Sequence, residues 1–118
     1  LELEKDITTE GWKEELAGYY KGVDALLVTS WYEGYGLSMV EARVAGISVI
    51  ATDVGVAREV GAYITEHTAD SIADTILKVH NQELPRREEY KYPYKNKDEY
   101  LKIYIQSFEK CLFRNKKT

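Results

Sequence analysis

Glu33 and Glu41 are separated by seven residues, with Gly34-Tyr35-Gly36 directly after the first of them. A carboxylate only accepts hydrogen bonds, so Glu41 suits the vicinal hydroxyls of a ribose, or else a cation. Gly34 and Gly36 let the backbone take positive φ and approach a ligand with no Cβ in the way. At the start of a helix, the N–H groups of Tyr35, Gly36 and Leu37 together with the helix dipole make an anion site fit for a phosphate. The same two glycines also suit an ordinary tight turn, and the pattern is neither a Walker loop nor GxGxxG. Glu41 falls four residues after Leu37 and three before Val44, on or beside an apolar stripe. Buried there it requires a cation or a hydroxyl-bearing ligand, and the alternatives are a solvated flank or an internal salt bridge.

Other chemistry-bearing residues lack companions. His67 and His80 have no acid or cysteine at ligand or catalytic spacing and read as surface histidines. Cys111 reads as a core cysteine, and Ser30 has no nearby base. Trp12 and Trp31 read as packing residues, with Trp31 next to the Glu33 loop. Arg43 lies two positions from Glu41, hence on another helical face, and reads as solvated. Arg58, beside Glu59 in a loop, is left open between an anion partner and a free surface charge.

The elements that must position these residues follow from apolar periodicity between glycines. Leu1, Leu3 and Ile7 alternate with charges as in a short edge strand. Thr8 or Thr9 offers an N-cap for a helix carrying Trp12, Leu16, Tyr19 and Tyr20 and ending at Gly22. Ala25-Leu26-Leu27-Val28 is a continuous apolar run, as a parallel strand covered on both faces requires. Leu37 to Ala45 has helical spacing with Leu37, Val40 and Val44 inward and Gly46 as its stop. Ser48 to Thr52 reads as a second strand, Asp53-Val54-Gly55 as a turn and Ala62 to Ile64 as a third strand. Asp70 to His80 and Asn96 to Phe113 read as amphipathic helices, the latter with an aromatic face that must lean on something. Short strands alternating with helices predict an α/β fold, a Rossmann-like parallel sheet with flanking helices. Ligands bind such sheets beyond the carboxyl ends of the strands, where the 30–36 loop lies.

Ser30-Trp31-Tyr32-Glu33-Gly34-Tyr35-Gly36-Leu37, Val40-Glu41-Ala42, Ala45-Gly46, Val49 to Gly55 and Glu59 together resemble the donor-binding half of the retaining GT-B glycosyltransferases, the group 1 glycosyl transferase family. The likeness covers about residues 16 to 80. It implies that Glu33, the catalytic candidate, lies against the transferred sugar and that Glu41 holds the ribose. By the same likeness Gly34, Tyr35, Gly36 and Leu37 meet sugar and diphosphate. It further implies a nucleotide-diphosphate sugar as donor, an acceptor hydroxyl, retention of configuration and no obligatory metal or other cofactor. The family's acceptor domain and its early basic residues have no counterpart here. The chain is therefore expected to be a fragment, inactive alone, whose partner is the missing acceptor domain. A non-catalytic nucleotide-sugar-binding or interaction module is the alternative.

Composition sets the remaining bounds. The 118 residues are 44% hydrophobic and 31% charged, a globular balance with room for one domain. Residues up to 80 carry 14 acids against 6 bases, and those after it 6 against 10, net −8 and +4. The glycines all lie at or before Gly61, and both prolines lie after residue 80. The expected division is a partial nucleotide-sugar-binding domain over 1–83 and a helical tail over 84–118. Mixed charge in the tail argues against nucleic acid. No apolar run is long enough to span a membrane and the start is too acidic for a signal peptide, so a cytoplasmic location is expected, with membrane-surface contact only in a full-length protein. Absence of the sheet's earlier strands would leave one strand edge bare, which predicts self-association.

Overall fold

A computed structural model of the chain describes residues 3–114, with side-chain burial through residue 110. At its centre are three parallel strands in the order β1-β2-β3, with β1 at Ala25–Val28, β2 at Ser48–Ala51 and β3 at Tyr63–Ile64. Leu26 pairs with Val49 and Leu27 with Ile50, and Ala51 in turn pairs with Ile64. Parallel neighbours need crossovers. Helix α2, Leu37–Val44, connects β1 to β2, and a wound turn over residues 55–61 connects β2 to β3. The fold is α/β, a Rossmann-like parallel sheet flanked by helices, as the alternation predicts.

Core packing is concentrated on β2 and α2. Val49, Ala51, Met39 and Ala42 are fully enclosed, and Ala57 and Val60 of the turn close over them. β1 differs from expectation. Only Val28 is buried while Ala25 and Leu27, which share the opposite face of the strand, are exposed, so β1 is not covered on both faces.

The N-terminal region departs most from the sequence reading. Leu3 to Asp6 form a turn closed by the Asp6 N–H on the Leu3 carbonyl at 2.9 Å, so the alternation there makes no strand; Leu1 lies outside the described residues. The following helix, α1, covers only Ala17–Lys21 and starts at Leu16 with no side-chain cap, so Thr8 and Thr9 do not cap it. Gly11 sits at φ +68° and Gly18 falls inside α1, two residues that weaken a helix with little packing to offset them. Trp12 is left 90% exposed. Gly22 does end α1, as expected.

Helix α3, Ala69–His80, begins at Thr68, whose hydroxyl accepts from the Ser71 N–H at 3.2 Å. Helix α4, Lys97–Arg114, follows a strap over residues 84–90. The Tyr63 hydroxyl donates to the Pro85 carbonyl at 3.0 Å, the Arg87 guanidinium lies 4.7 Å above the Tyr63 ring, and Tyr90 packs against the core. Beyond the strap the chain stands away from the sheet. Every side chain from Leu101 to Lys110 is exposed, and the radius of gyration is 18.0 Å, against about 13.5 Å for a compact chain of this length. The aromatic face of α4 is nevertheless ordered on itself, with Tyr100 on Tyr104 at 5.8 Å and Tyr104 on Phe108 at 4.9 Å. The expected burial of Cys111 lies outside the described side chains. No helix among the described residues is long and apolar enough to cross a membrane.

Candidate functional site

The loop from Ser30 to Gly36 leaves the carboxyl end of β1 and enters α2. Gly36 is the N-cap of α2 at φ +94°, a left-handed conformation that favours glycine, and a Cβ there would meet the Met39 Cε at 2.3 Å. Its carbonyl accepts from the Met39 N–H at 3.0 Å and so starts the helix. The loop leans on the turn after β2. Val56 N–H donates to the Tyr35 carbonyl at 2.9 Å, and Gly55, at φ +50°, approaches the same peptide so closely that a Cβ would lie 2.3 Å from that oxygen. Among the described residues, none of the N–H groups of Gly34, Tyr35, Gly36, Leu37 and Ser38 has an acceptor. This open row of donors at a positive helix end is what an anion needs.

Glu33 is half-buried, and its Oε1 accepts from the Ser30 hydroxyl at 2.7 Å. Ser30 is itself fixed, since its carbonyl accepts from the fully buried Thr52 hydroxyl at 2.7 Å. Glu41 has a different setting from the one its spacing suggests. The buried face of α2 is Met39, Val40, Ala42 and Arg43, while Leu37 and Val44 are exposed. At 100° per residue this puts Glu41 nearly opposite the core face, exposed, so no burial cost forces a partner on it. Its Oε2 accepts from the Tyr20 hydroxyl at 3.0 Å. Burial first, then the hydrogen bond and the charge of Glu41, push the Tyr20 phenol up to about 12. Tyr20 is a site residue that sequence reasoning missed, because its role depends on α1 packing beside α2.

The two carboxylates are not brought into one cavity. Glu41 and Tyr20 line a pocket of about 530 Å³ with Leu16, Ala17 and Val44, which Glu33 does not border. A larger cleft of about 1010 Å³, bordered by Trp31, Asp53, Arg58, His67, Asp74 and Lys78, adjoins the loop and contains neither glutamate. Along the chain Glu33 comes first, in the loop before α2, then the open N–H row, then Glu41 within the helix. With a rise of about 1.5 Å per residue, Glu41 is about 6 Å along the helix from Leu37.

The cations also depart from expectation. Arg43 is on another face from Glu41, as its spacing requires, but that face is the core. Its guanidinium is buried and donates to the carbonyls of Val60 at 3.0 Å, Ile47 at 3.3 Å and Glu88, holding the wound turn and the strap to α2. Arg58 forms a two-pronged pair with Asp53 at 2.8 and 2.7 Å, which lowers the Asp53 carboxyl from its ordinary value and raises the guanidinium. His67 is half-buried rather than on the surface, with its ring stacked on Trp31 at 3.9 Å.

Comparison with known proteins bears on this arrangement. The family model described as Glycosyl transferases group 1 matches residues 1–82. The chain belongs to the group 1 glycosyl transferases. It is 38% identical over 77 residues to a D-inositol 3-phosphate glycosyltransferase of Mycolicibacterium smegmatis (strain ATCC 700084 / mc(2)155), an alignment that takes in 60% of this chain. The alignment spans 18% of that relative. No solved structure matches the chain. The matched residues include the whole of the Glu33 loop and of α2.

Proposed function

We propose that this group 1 glycosyl transferase chain is the donor-binding portion of a GT-B enzyme that moves a sugar, with retention, from a nucleotide-diphosphate sugar to an acceptor hydroxyl. Glu33 contacts the transferred sugar, Glu41 takes the ribose hydroxyls, and the N–H groups from Gly34 to Leu37 receive the diphosphate. The observation that carries this reading is the open row of N–H donors lying between the two carboxylates. A small anion would need the row alone. A molecule with a hydroxyl-rich group at each end of a diphosphate would use the row and both acids, reaching from the loop before α2 to the pocket beside Glu41. The helix end contributes about 1 kcal/mol toward holding the anion. Arg58 is engaged by Asp53, so the N–H row and not that guanidinium would meet the diphosphate.

The aligned segment falls on the donor side of the enzyme by this reading, so the inositol phosphate in the relative's name does not carry over as an acceptor. Isothermal titration of the chain with uridine and guanosine diphosphates and their sugars tests the proposal. Binding of a diphosphate sugar is expected, with Glu41→Gln weakening the free diphosphate and its sugar alike and Glu33→Gln weakening only the sugar. Affinities unaltered by either substitution would reject the assignment.

A further inference from the structure

Behind the Glu33 loop lies a contact between residues far apart in the chain. His67 follows β3, and its Nε2 is 2.7 Å from the carbonyl oxygen of Ser30, the same oxygen that accepts from Thr52 Oγ1 at 2.7 Å. The two lone pairs of that carbonyl are thus both engaged. The imidazole plane lies within 9° of the Trp31 indole, 3.9 Å between centroids, and Trp31 is otherwise 82% exposed. Ser30 Oγ donates in turn to Glu33 Oε1 at 2.7 Å. A carbonyl has no proton to give, so His67 must donate from Nε2, which fixes its neutral tautomer.

We propose that His67 is a positioning residue for Glu33: it clamps the Ser30 peptide and the Trp31 ring, and Ser30 then holds the Glu33 carboxylate toward the donor sugar. The functional part of this rests on the reading of Glu33 given above; the clamp itself does not. Thr52, just after β2, and His67, three residues after β3, reach the same oxygen, so the loop after β1 takes its position from segments that follow both other strands. The stack and the hydrogen bond restrain different motions. Stacking keeps Trp31 from swinging out, whereas the Nε2–H bond stops the Ser30 peptide from rotating.

Two substitutions separate these roles. His67→Phe keeps a ring against Trp31 and loses the donor, and His67→Gln returns a donor and loses the ring. In the 118-residue chain, the Glu33 side-chain carboxyl carbon-13 resonance should move in His67→Phe and return toward its wild-type position in His67→Gln. A folded His67→Phe chain with that resonance unmoved overturns the proposal. Nitrogen-15 spectra of the wild-type imidazoles at alkaline pH need no variant to fold: the Nε2–H tautomer is expected for His67, and the Nδ1–H tautomer overturns the clamp. Titration with a uridine or guanosine diphosphate sugar adds the functional arm, in which His67→Phe should bind about fivefold more weakly and His67→Gln should recover most of the loss. Equal affinity in His67→Phe contradicts the positioning role. If the wild-type chain binds neither sugar nucleotide, the proposed function fails, while the tautomer and carboxyl signals still decide whether His67 orients Glu33.

Discussion

Replacing Gly55 by alanine perturbs the Glu33 loop from beneath, through its backbone and the base of the Glu33 side chain. The new Cβ would lie 2.3 Å from the Tyr35 carbonyl oxygen, 2.9 Å from its carbon and 3.1 Å from the Glu33 Cβ. Backbone cannot yield as the tip of a flexible side chain does, so the loop and the turn after β2 must separate. Holding alanine at φ +50° costs about 1–2 kcal/mol. Separation also breaks the Val56 N–H bond to the Tyr35 carbonyl, at about 1 kcal/mol. A loss of about 2–4 kcal/mol is expected, a large share of the roughly 5–15 kcal/mol that holds a domain together. Gly34→Ala is the control, because a Cβ there meets nothing within 4 Å and no positive φ is involved; a change under about 0.5 kcal/mol is expected. Urea unfolding of the three proteins, extrapolated linearly, measures both values. The reasoning is refuted if Gly55→Ala unfolds within about 0.5 kcal/mol of wild type, or if Gly34→Ala is the more damaging.

Arg43→Met removes the donors to the Val60, Ile47 and Glu88 carbonyls, and a loss of about 2–4 kcal/mol with loosening of the strap should appear in thermal unfolding and hydrogen exchange; a loss below about 1 kcal/mol would contradict the clamp. The Tyr20 phenol, raised from 10.0 to about 12, contributes stability that is complete below pH 10 and fades as pH rises through 12. Phenolate absorbance of wild type minus Tyr20→Phe should show that late transition, and one at 10 would refute the burial and the Glu41 contact. Because α4 buries no described side chain on the sheet, ending the chain at residue 96 should change urea stability by less than about 0.5 kcal/mol, whereas ending it at residue 83 should cost several times more through loss of the Pro85, Arg87 and Tyr90 contacts. The edge of β1, which has no partner strand among the described residues, is expected to pair between copies, so sedimentation should reveal dimers that Leu27→Lys disperses; a monomer at all concentrations would oppose this.

Local pattern was a good guide where one signal acted alone. Ala25 to Val28 and Ser48 to Ala51 were legible as strands because β-branched or apolar runs were bounded by glycine and turn residues, and α3 because its apolar residues recur at helical intervals between Asp70 and His80. The orientation of α2 was not legible. Counting only apolar residues favours Leu37, Val40 and Val44, whereas the core takes Arg43, whose long side chain finds carbonyl acceptors supplied by distant segments. That rotation explains both the exposure of Glu41 and the burial of the arginine read as solvated. The first helix failed for another reason, since its apolar spacing competes with Gly11 and Gly18 and Tyr20 is its one side chain packed against the core among the described residues. Of the site, the Glu33 to Leu37 turn was readable from its glycines. Tyr20 and His67 were not, because each acts on a residue at least 21 positions away and no periodicity encodes such a contact.

Amide spectra during titration with a nucleotide-diphosphate sugar probe the central claim most directly, because the proposed ligand would occupy N–H groups that have no acceptor among the described residues. The largest shifts should fall on Gly34, Tyr35, Gly36 and Leu37, with smaller ones at Glu41 and Tyr20, and they should saturate together. Shifts confined to the cleft of Asp53, Arg58 and Lys78, or a spectrum in which the Gly34 to Leu37 amides stay fixed while ligand binds, would contradict the account.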